Sequence, residues 1–123
     1  MLIETGWAFA FATDWIEAWN SGDLDRILGC YADGFEMSSP LIGERMGVSS
    51  GRLRGKDAIR PYWAIGLAAR PPLRFELIDV FGGMDVLAIL YRNVNRDRRV
   101  IERLRFDDER RVIEAEALHC LNR

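Results

Sequence analysis

Between Trp15 and Pro40 the sequence WIEAWNSGDLDRILGCYADGFEMSSP constrains the fold more than any other stretch, because it specifies two helices, the turn between them and the strand that follows. Trp7, Phe11, Trp15 and Trp19 recur every four residues, with Ala8, Ala12 and Ile16 beside them, which makes a broad apolar face at helical spacing. This helix is expected to end near Asn20, with Ser21 and Gly22 in the turn. Asp23 is placed to cap a second helix, accepting from otherwise orphan N–H groups at the positive end of the dipole. Leu24, Ile27, Leu28 and Tyr31 follow the i, i+3, i+4, i+7 template, and Asp33 and Gly34 are expected to stop it. Phe35, Met37 and Ser39 then alternate with Glu36 and Ser38, predicting a short half-buried strand that runs into Pro40.

From Gly43 to Gly55 the chain is rich in Gly, Ser and Arg and reads as a pocket-rim loop, with at most a short strand around Arg52 and Leu53. Lys56 to about Ala69 reads as a third helix carrying Ala58, Ile59, Tyr62, Trp63 and Leu67 on one side. Pro61 falls inside it and predicts a kink or a late start, since proline removes one helical hydrogen bond. After Pro71 and Pro72 the pattern predicts an antiparallel meander of four strands: Leu73 to Phe81, Val86 to Val94, Arg99 to Phe106 and Arg110 to Leu121. Three N-terminal helices packed in a curved, mostly antiparallel sheet is an α+β layout. At 123 residues and 49% hydrophobic, residues 1–123 suffice for one domain with a single core.

A net charge of -2 gives no basic footprint for nucleic acid, and the dense arginines from Arg96 to Arg111 read as a solvated or dimer-facing surface. Cys30 and Cys120 are isolated thiols, and the first residues lack the basic segment of a signal peptide, so a reducing cytoplasm and no membrane partner are expected. There is no glycine-rich phosphate loop, no metal-ligand cluster around the lone histidine and no nucleophile elbow, and neither a metal nor a cofactor is expected.

Strand pairing can be estimated from the turns. Pairing Val94 with Arg99 sets Tyr91 opposite Glu102, and pairing Phe106 with Arg111 sets Glu102 opposite Ala115. Alternation then gathers Leu87, Ile89, Tyr91, Asn93, Glu102, Leu104, Ala115, Ala117 and His119 on one face. The other face carries Arg92, Arg103, Arg105, Glu114 and Glu116 among Leu90, Ile101 and Leu118, where opposite charges would pair across strands. On the apolar face Glu102 lacks a cation, and burying an unpaired carboxylate is costly, so its presence points to function. His119 is either a buried histidine bonded to backbone or a ligand contact. In this register it lies four residues from Ala115, about 13 Å along the strand, and forms a polar centre separate from Tyr91 and Glu102. Trp15, Trp19 and Trp63 are individually core residues that together can wall a pocket.

The segments WNSGDLDRILGCYADGFEMSSP, GRLRGKDAIRPYW and EALHC, in this order, resemble the nuclear transport factor two-like superfamily, most closely its SnoaL-like and ketosteroid isomerase branches. The resemblance implies a cone of helices against a curved sheet, an apolar pocket inside the cone and a homodimer through the sheet. It places Trp15, Trp19, Tyr31 and Met37 in the pocket lining. It also sets Trp15 where the isomerases carry an oxyanion-donating tyrosine, Ser39 where they carry the aspartate base, and Glu102 where they carry a second oxyanion-hole acid. Two functional readings result, beside a third in which the chain is a structural dimer module whose cavity is filled by its own tryptophans. One is a cofactor-independent acid/base enzyme of isomerase or cyclase type, using Glu102, His119 and Tyr91 on a small apolar molecule held by Trp15, Trp19, Tyr31, Met37, Ser39, Trp63, Leu67 and Ile89. The other is a non-catalytic protein that binds a small hydrophobic ligand.

Overall fold

The computed structural model describes residues 2–121, so Met1, Asn122 and Arg123 of the expected domain lie outside the described residues. Helix α1 spans Thr5–Ser21 and buries Ala8, Ala12, Trp15, Ile16, Ala18 and Trp19, while Trp7 and Phe11 of the expected stripe are half-buried against the core. Gly22 closes it in the left-handed conformation at φ 72, its N–H returning to the Trp19 carbonyl. The Asp23 side chain accepts from the Arg26 N–H at 3.2 Å and starts α2, Leu24–Leu28.

Helix α2 is shorter than its periodicity implies, and Tyr31 belongs to a strand. The Gly29 N–H bonds the Asp25 and Arg26 carbonyls, and the Cys30 carbonyl then accepts from Val112 N–H at 2.9 Å. From that point the chain is captured by the last strand as β1, Tyr31–Ser38, so tertiary pairing overrides local helical spacing. A second correction follows immediately. The expected rim loop begins with a short helix, α3, Pro40–Met46, which among the described residues joins the three helices expected. Ser39 caps it by accepting from Leu41 N–H, Pro40 takes the first turn where a missing donor costs nothing, and Gly47 at φ 68 ends it. Strand β2, Arg52–Arg54, pairs with β1, and α4, Lys56–Ala68, runs from its expected start with Pro61 inside it.

The remaining strands are β3, Phe75–Gly82; β4, Val86–Asn93; β5, Arg98–Phe106; and β6, Val112–His119. They form one six-stranded sheet in the order β2-β1-β6-β5-β4-β3, antiparallel except for the β1–β6 pair. The C-terminal end of α1 is tied to β3 by a reciprocal pair, Asn20 Nδ2 to the Phe75 carbonyl at 2.9 Å and Phe75 N–H to Asn20 Oδ1 at 2.8 Å. Ile27, Phe35, Ile42, Ile59, Leu87, Ile89 and Leu104 fill the core between helices and sheet, each worth about 1.5–3 kcal/mol of burial.

Register is the third correction. Glu102 pairs with Ile89 and Ala117, and Val100 with Tyr91 and His119, two residues from the pairings the turns suggest. The β4–β5 connection contains a 3-10 turn, Val94–Arg96, followed by Asp97 at φ 49, and a bulge between Arg105 and Phe106 resets β6. A shift of two preserves which side chains face inward while changing their neighbours. Leu87, Ile89, Tyr91, Glu102, Leu104, Ala115 and Ala117 are accordingly all buried. On the outer face Arg103 meets Glu114 at 3.3 Å and Glu116 at 3.9 Å.

Candidate functional site

A cavity of about 340 Å³ opens between the helices and the concave face of the sheet. Its apolar wall is built by Trp15 and Trp19 of α1, Trp63 of α4 and Phe75 of β3. Ring centroids 5.0 Å apart for Trp19 and Trp63, and 5.9 Å for Trp19 and Phe75, make a continuous aromatic surface. Met37 and Ser39 close one side, and Tyr91, Glu102 and His119 reach the cavity from three adjacent strands.

Glu102 is 3% exposed and lies among apolar residues. Tyr91 OH donates to its Oε1 at 3.4 Å, and no cation forms an ion pair with it among the described residues. Burial raises its pKa from 4.5 to about 8 against the lowering effect of the Tyr91 hydrogen bond, so the carboxyl is protonated at neutral pH. A neutral carboxyl keeps one O–H to donate into the cavity.

The observed register brings His119 closer to this group than the sequence reading allows. It sits two residues beyond Ala117, the direct partner of Glu102, so the two occupy diagonal positions roughly 7–8 Å apart. Both imidazole nitrogens are buried without a hydrogen-bond partner. Burial first, then the positive charges of Arg98 and Arg45, lower its pKa, and the neutral ring is the favoured form at pH 7.

The front wall is engaged differently. Trp15 Nε1–H donates to Tyr31 OH at 3.0 Å, directing the indole donor into the core, and Tyr31 itself is fully buried behind Trp15. Ser39 Oγ accepts from Leu41 N–H and from Tyr62 OH, the latter at 3.3 Å, so it serves as a helix cap inside the lining. Of the sequence-selected ligand residues, Trp15, Trp19, Met37, Ser39 and Trp63 line the cavity, whereas Tyr31, Leu67 and Ile89 do not. Tyr31 and Ile89 are enclosed in the core, and Leu67 packs against it one helical position away from the face formed by Tyr62 and Gly66.

Tyr62 and Asn93, placed on inward faces but not chosen as site residues, also line the cavity, as do Arg45 and, against the expectation of a solvated or dimer-facing surface, Arg96 and Arg98. Tyr62 and Gly66 share an i, i+4 stripe, and Asn93 lies on the inward face by alternation, so both had a local signal. Arg45 had none, because it reaches the site only through α3. Among the described residues no helix is long and apolar enough to cross a membrane.

A curved sheet wrapping helices around a lined cavity defines the class, and the fold is that of the nuclear transport factor two-like proteins. The model of the SnoaL-like domain family matches residues 12–115, and the chain belongs to that family. A SnoaL-like protein of unknown function from Burkholderia thailandensis superposes with a TM-score of 0.92 at 45% identity, covering 98% of this chain and 99% of its own. AclR of Streptomyces galilaeus, a proposed hydroxylase, gives 0.72 at 17% identity over 97% of this chain and 82% of AclR. A proposed ketosteroid isomerase of Kribbella flavida gives 0.70 at 13% identity, covering 93% and 78%. No curated protein matches the chain.

Proposed function

We propose that the protein is a cofactor-independent acid/base enzyme acting on a small, largely apolar carbonyl compound. The observation that carries this reading is the pairing of two groups on one apolar face: a buried, protonated Glu102 and, diagonal to it, a neutral His119 with both nitrogens bare. The distant neighbours are proposed to carry different chemistries on one fold, so the reaction depends on the residues of the site and not on the fold.

A substrate carbonyl seated against Glu102 accepts its O–H hydrogen bond, with Tyr91 holding the carboxyl in place. His119 removes a proton from carbon adjacent to that carbonyl: the C–H bond breaks, an N–H bond forms, and negative charge develops on the oxygen facing Glu102. Return of the proton to another carbon completes an isomerisation. Stabilising an oxyanion with a neutral carboxylic acid in an apolar site requires a raised pKa of the kind Glu102 has. In this arrangement the base stands on the closing strand, since Ser39 and Trp15 are occupied as cap and core donor.

The test is deuterium exchange. Incubation of enolisable bicyclic ketones in D₂O, followed by NMR, is expected to show exchange at the carbonyl-adjacent carbon that falls at least about 100-fold in Glu102→Gln and in His119→Ala. Exchange equal in wild type and both variants rejects the assignment. A compound that binds without exchanging supports the second reading, a non-catalytic binder of apolar ligands, which the aromatic wall favours. A homodimer through the outer sheet face belongs to the same proposal, supported by Leu90, Ile101 and Leu118 lying there among paired charges.

A further inference from the structure

The cavity mouth has a sign. Arg45 of α3, Arg96 of the 3-10 turn and Arg98 at the start of β5 all line it, and Glu44 is the one acid in the lining besides the buried Glu102. Arg103, Arg105, Arg92 and Arg110 are matched to Glu114, Asp85, Asp97 and Glu4, whereas Arg70, Arg74, Arg99 and Arg111, away from the cavity, form no ion pair among the described residues. None of the three at the mouth forms an ion pair among the described residues. Arg96 is partly anchored by donating to the Pro71 carbonyl at 3.1 Å, which leaves Arg45 and Arg98 as the unengaged forks. Their charges reach inward, since both depress the pKa of His119.

Two further observations point to a ligand. Every buried side-chain polar atom without a partner among the described residues, namely Trp19 Nε1, Asn93 Oδ1 and both His119 nitrogens, belongs to a residue lining this cavity. Buried polar groups are ordinarily bonded, so their concentration at one place marks a site shaped for a polar, partly apolar molecule. Position supports the same conclusion. Asn93 and Arg98 are direct partners across β4 and β5, and His119 follows two strands along, so the polar atoms lead from the mouth toward Glu102. On the opposite side a Cβ built on Gly66 would lie 3.4 Å from Arg45 Nη1, so the guanidinium rests over a helix surface that carries no side chain.

We propose that the ligand is an apolar acid, with its ring body against Trp15, Trp19, Trp63 and Phe75 and its carboxylate between Arg45 and Arg98 at the mouth. This rests on the reading of the cavity as the substrate site and names the class of molecule it takes. The guanidinium fork matches a carboxylate in plane and in spacing, which a neutral ester or amide cannot exploit. A net-negative protein that gathers unpaired arginines at its cavity mouth also favours anionic over neutral ligands during approach.

The experiment compares 2-naphthylacetate with 2-naphthylacetamide, molecules of nearly equal shape, by calorimetric titration. The acid is expected to bind roughly tenfold more tightly than the amide at low salt, with the preference shrinking as salt rises. Arg45→Gln with Arg98→Gln is expected to bring the ratio to within about twofold. Both side chains are exposed, so the double variant should fold, and circular dichroism checks this. Arg99→Gln removes the same charge from the opposite face of β5 and should leave the preference intact. Equal binding of acid and amide, binding of neither, or an equal loss in Arg99→Gln overturns the proposal. Acid-selective, arginine-dependent binding without deuterium exchange keeps this inference while rejecting the catalytic reading.

Discussion

Glu102 is the residue on which stability and chemistry meet. Its pKa is about 8 in the folded chain against an ordinary 4.5, so between these values the native state holds a proton that the unfolded state has released. The unfolded state then binds fewer protons, and stability falls as pH rises. The contribution is fully present below about pH 4.5 and is lost through pH 8, at up to about 1.4 kcal/mol per pH unit. His119 acts with the opposite sign, because its lowered pKa makes stability fall as pH drops below 6.5. Glu102→Gln, neutral at every pH, is expected to gain on wild type steadily in urea melts between about pH 5 and pH 8.5. Parallel curves for the two proteins would show that the carboxyl does not titrate in this window. The suspicion that this carboxylate is special was legible from alternation alone, since a lone acid on an apolar face needs a reason. Its partners were not, because Ile89 and Ala117 replace the expected Tyr91 and Ala115.

At the scale of elements, α3 shows how local chemistry can be present and still be overlooked. The run SPLIGERMG contains an N-cap serine, a first-turn proline and a closing glycine, which is a complete helix signature in seven residues plus caps. Reading Pro40 as the end of a strand is correct for β1 and hides its second role at the start of α3. Ser39→Ala removes both the cap to Leu41 N–H and the acceptor for Tyr62 OH. We expect a loss of about 1 kcal/mol in urea unfolding, within the range of helix caps. A change below about 0.2 kcal/mol would mean that the cap contributes nothing to the folded state. The element also carries Arg45 to the mouth, so its loosening should weaken binding of an anionic ligand along with stability. Helix α2 errs in the other direction: Tyr31 has the spacing of a helix, yet pairing with β6 places it in a strand.

Across the whole molecule, the sheet separates two surfaces of opposite character. Its concave side holds the cavity, while its convex side carries interlocked charges, with Arg105 reaching Asp85 at 3.2 Å and Glu114 at 3.7 Å. Half-exposed apolar side chains such as Leu118, at 45%, lie on that convex side, where the proposed homodimer would cover them. Sedimentation at micromolar concentration is expected to give a dimer, and a monomer under those conditions rejects it. The apolar stripes, the Asp23 cap and the inward parity of β4, β5 and β6 are properties of residues two to four apart, and the sequence alone determined them. Strand register, the parallel capture of Tyr31, and the convergence of Arg45, Arg98 and His119 on one mouth depend on turns, a bulge and contacts between distant segments. Those were decided only by the tertiary structure, because periodicity records which way a side chain points and not which distant residue it meets.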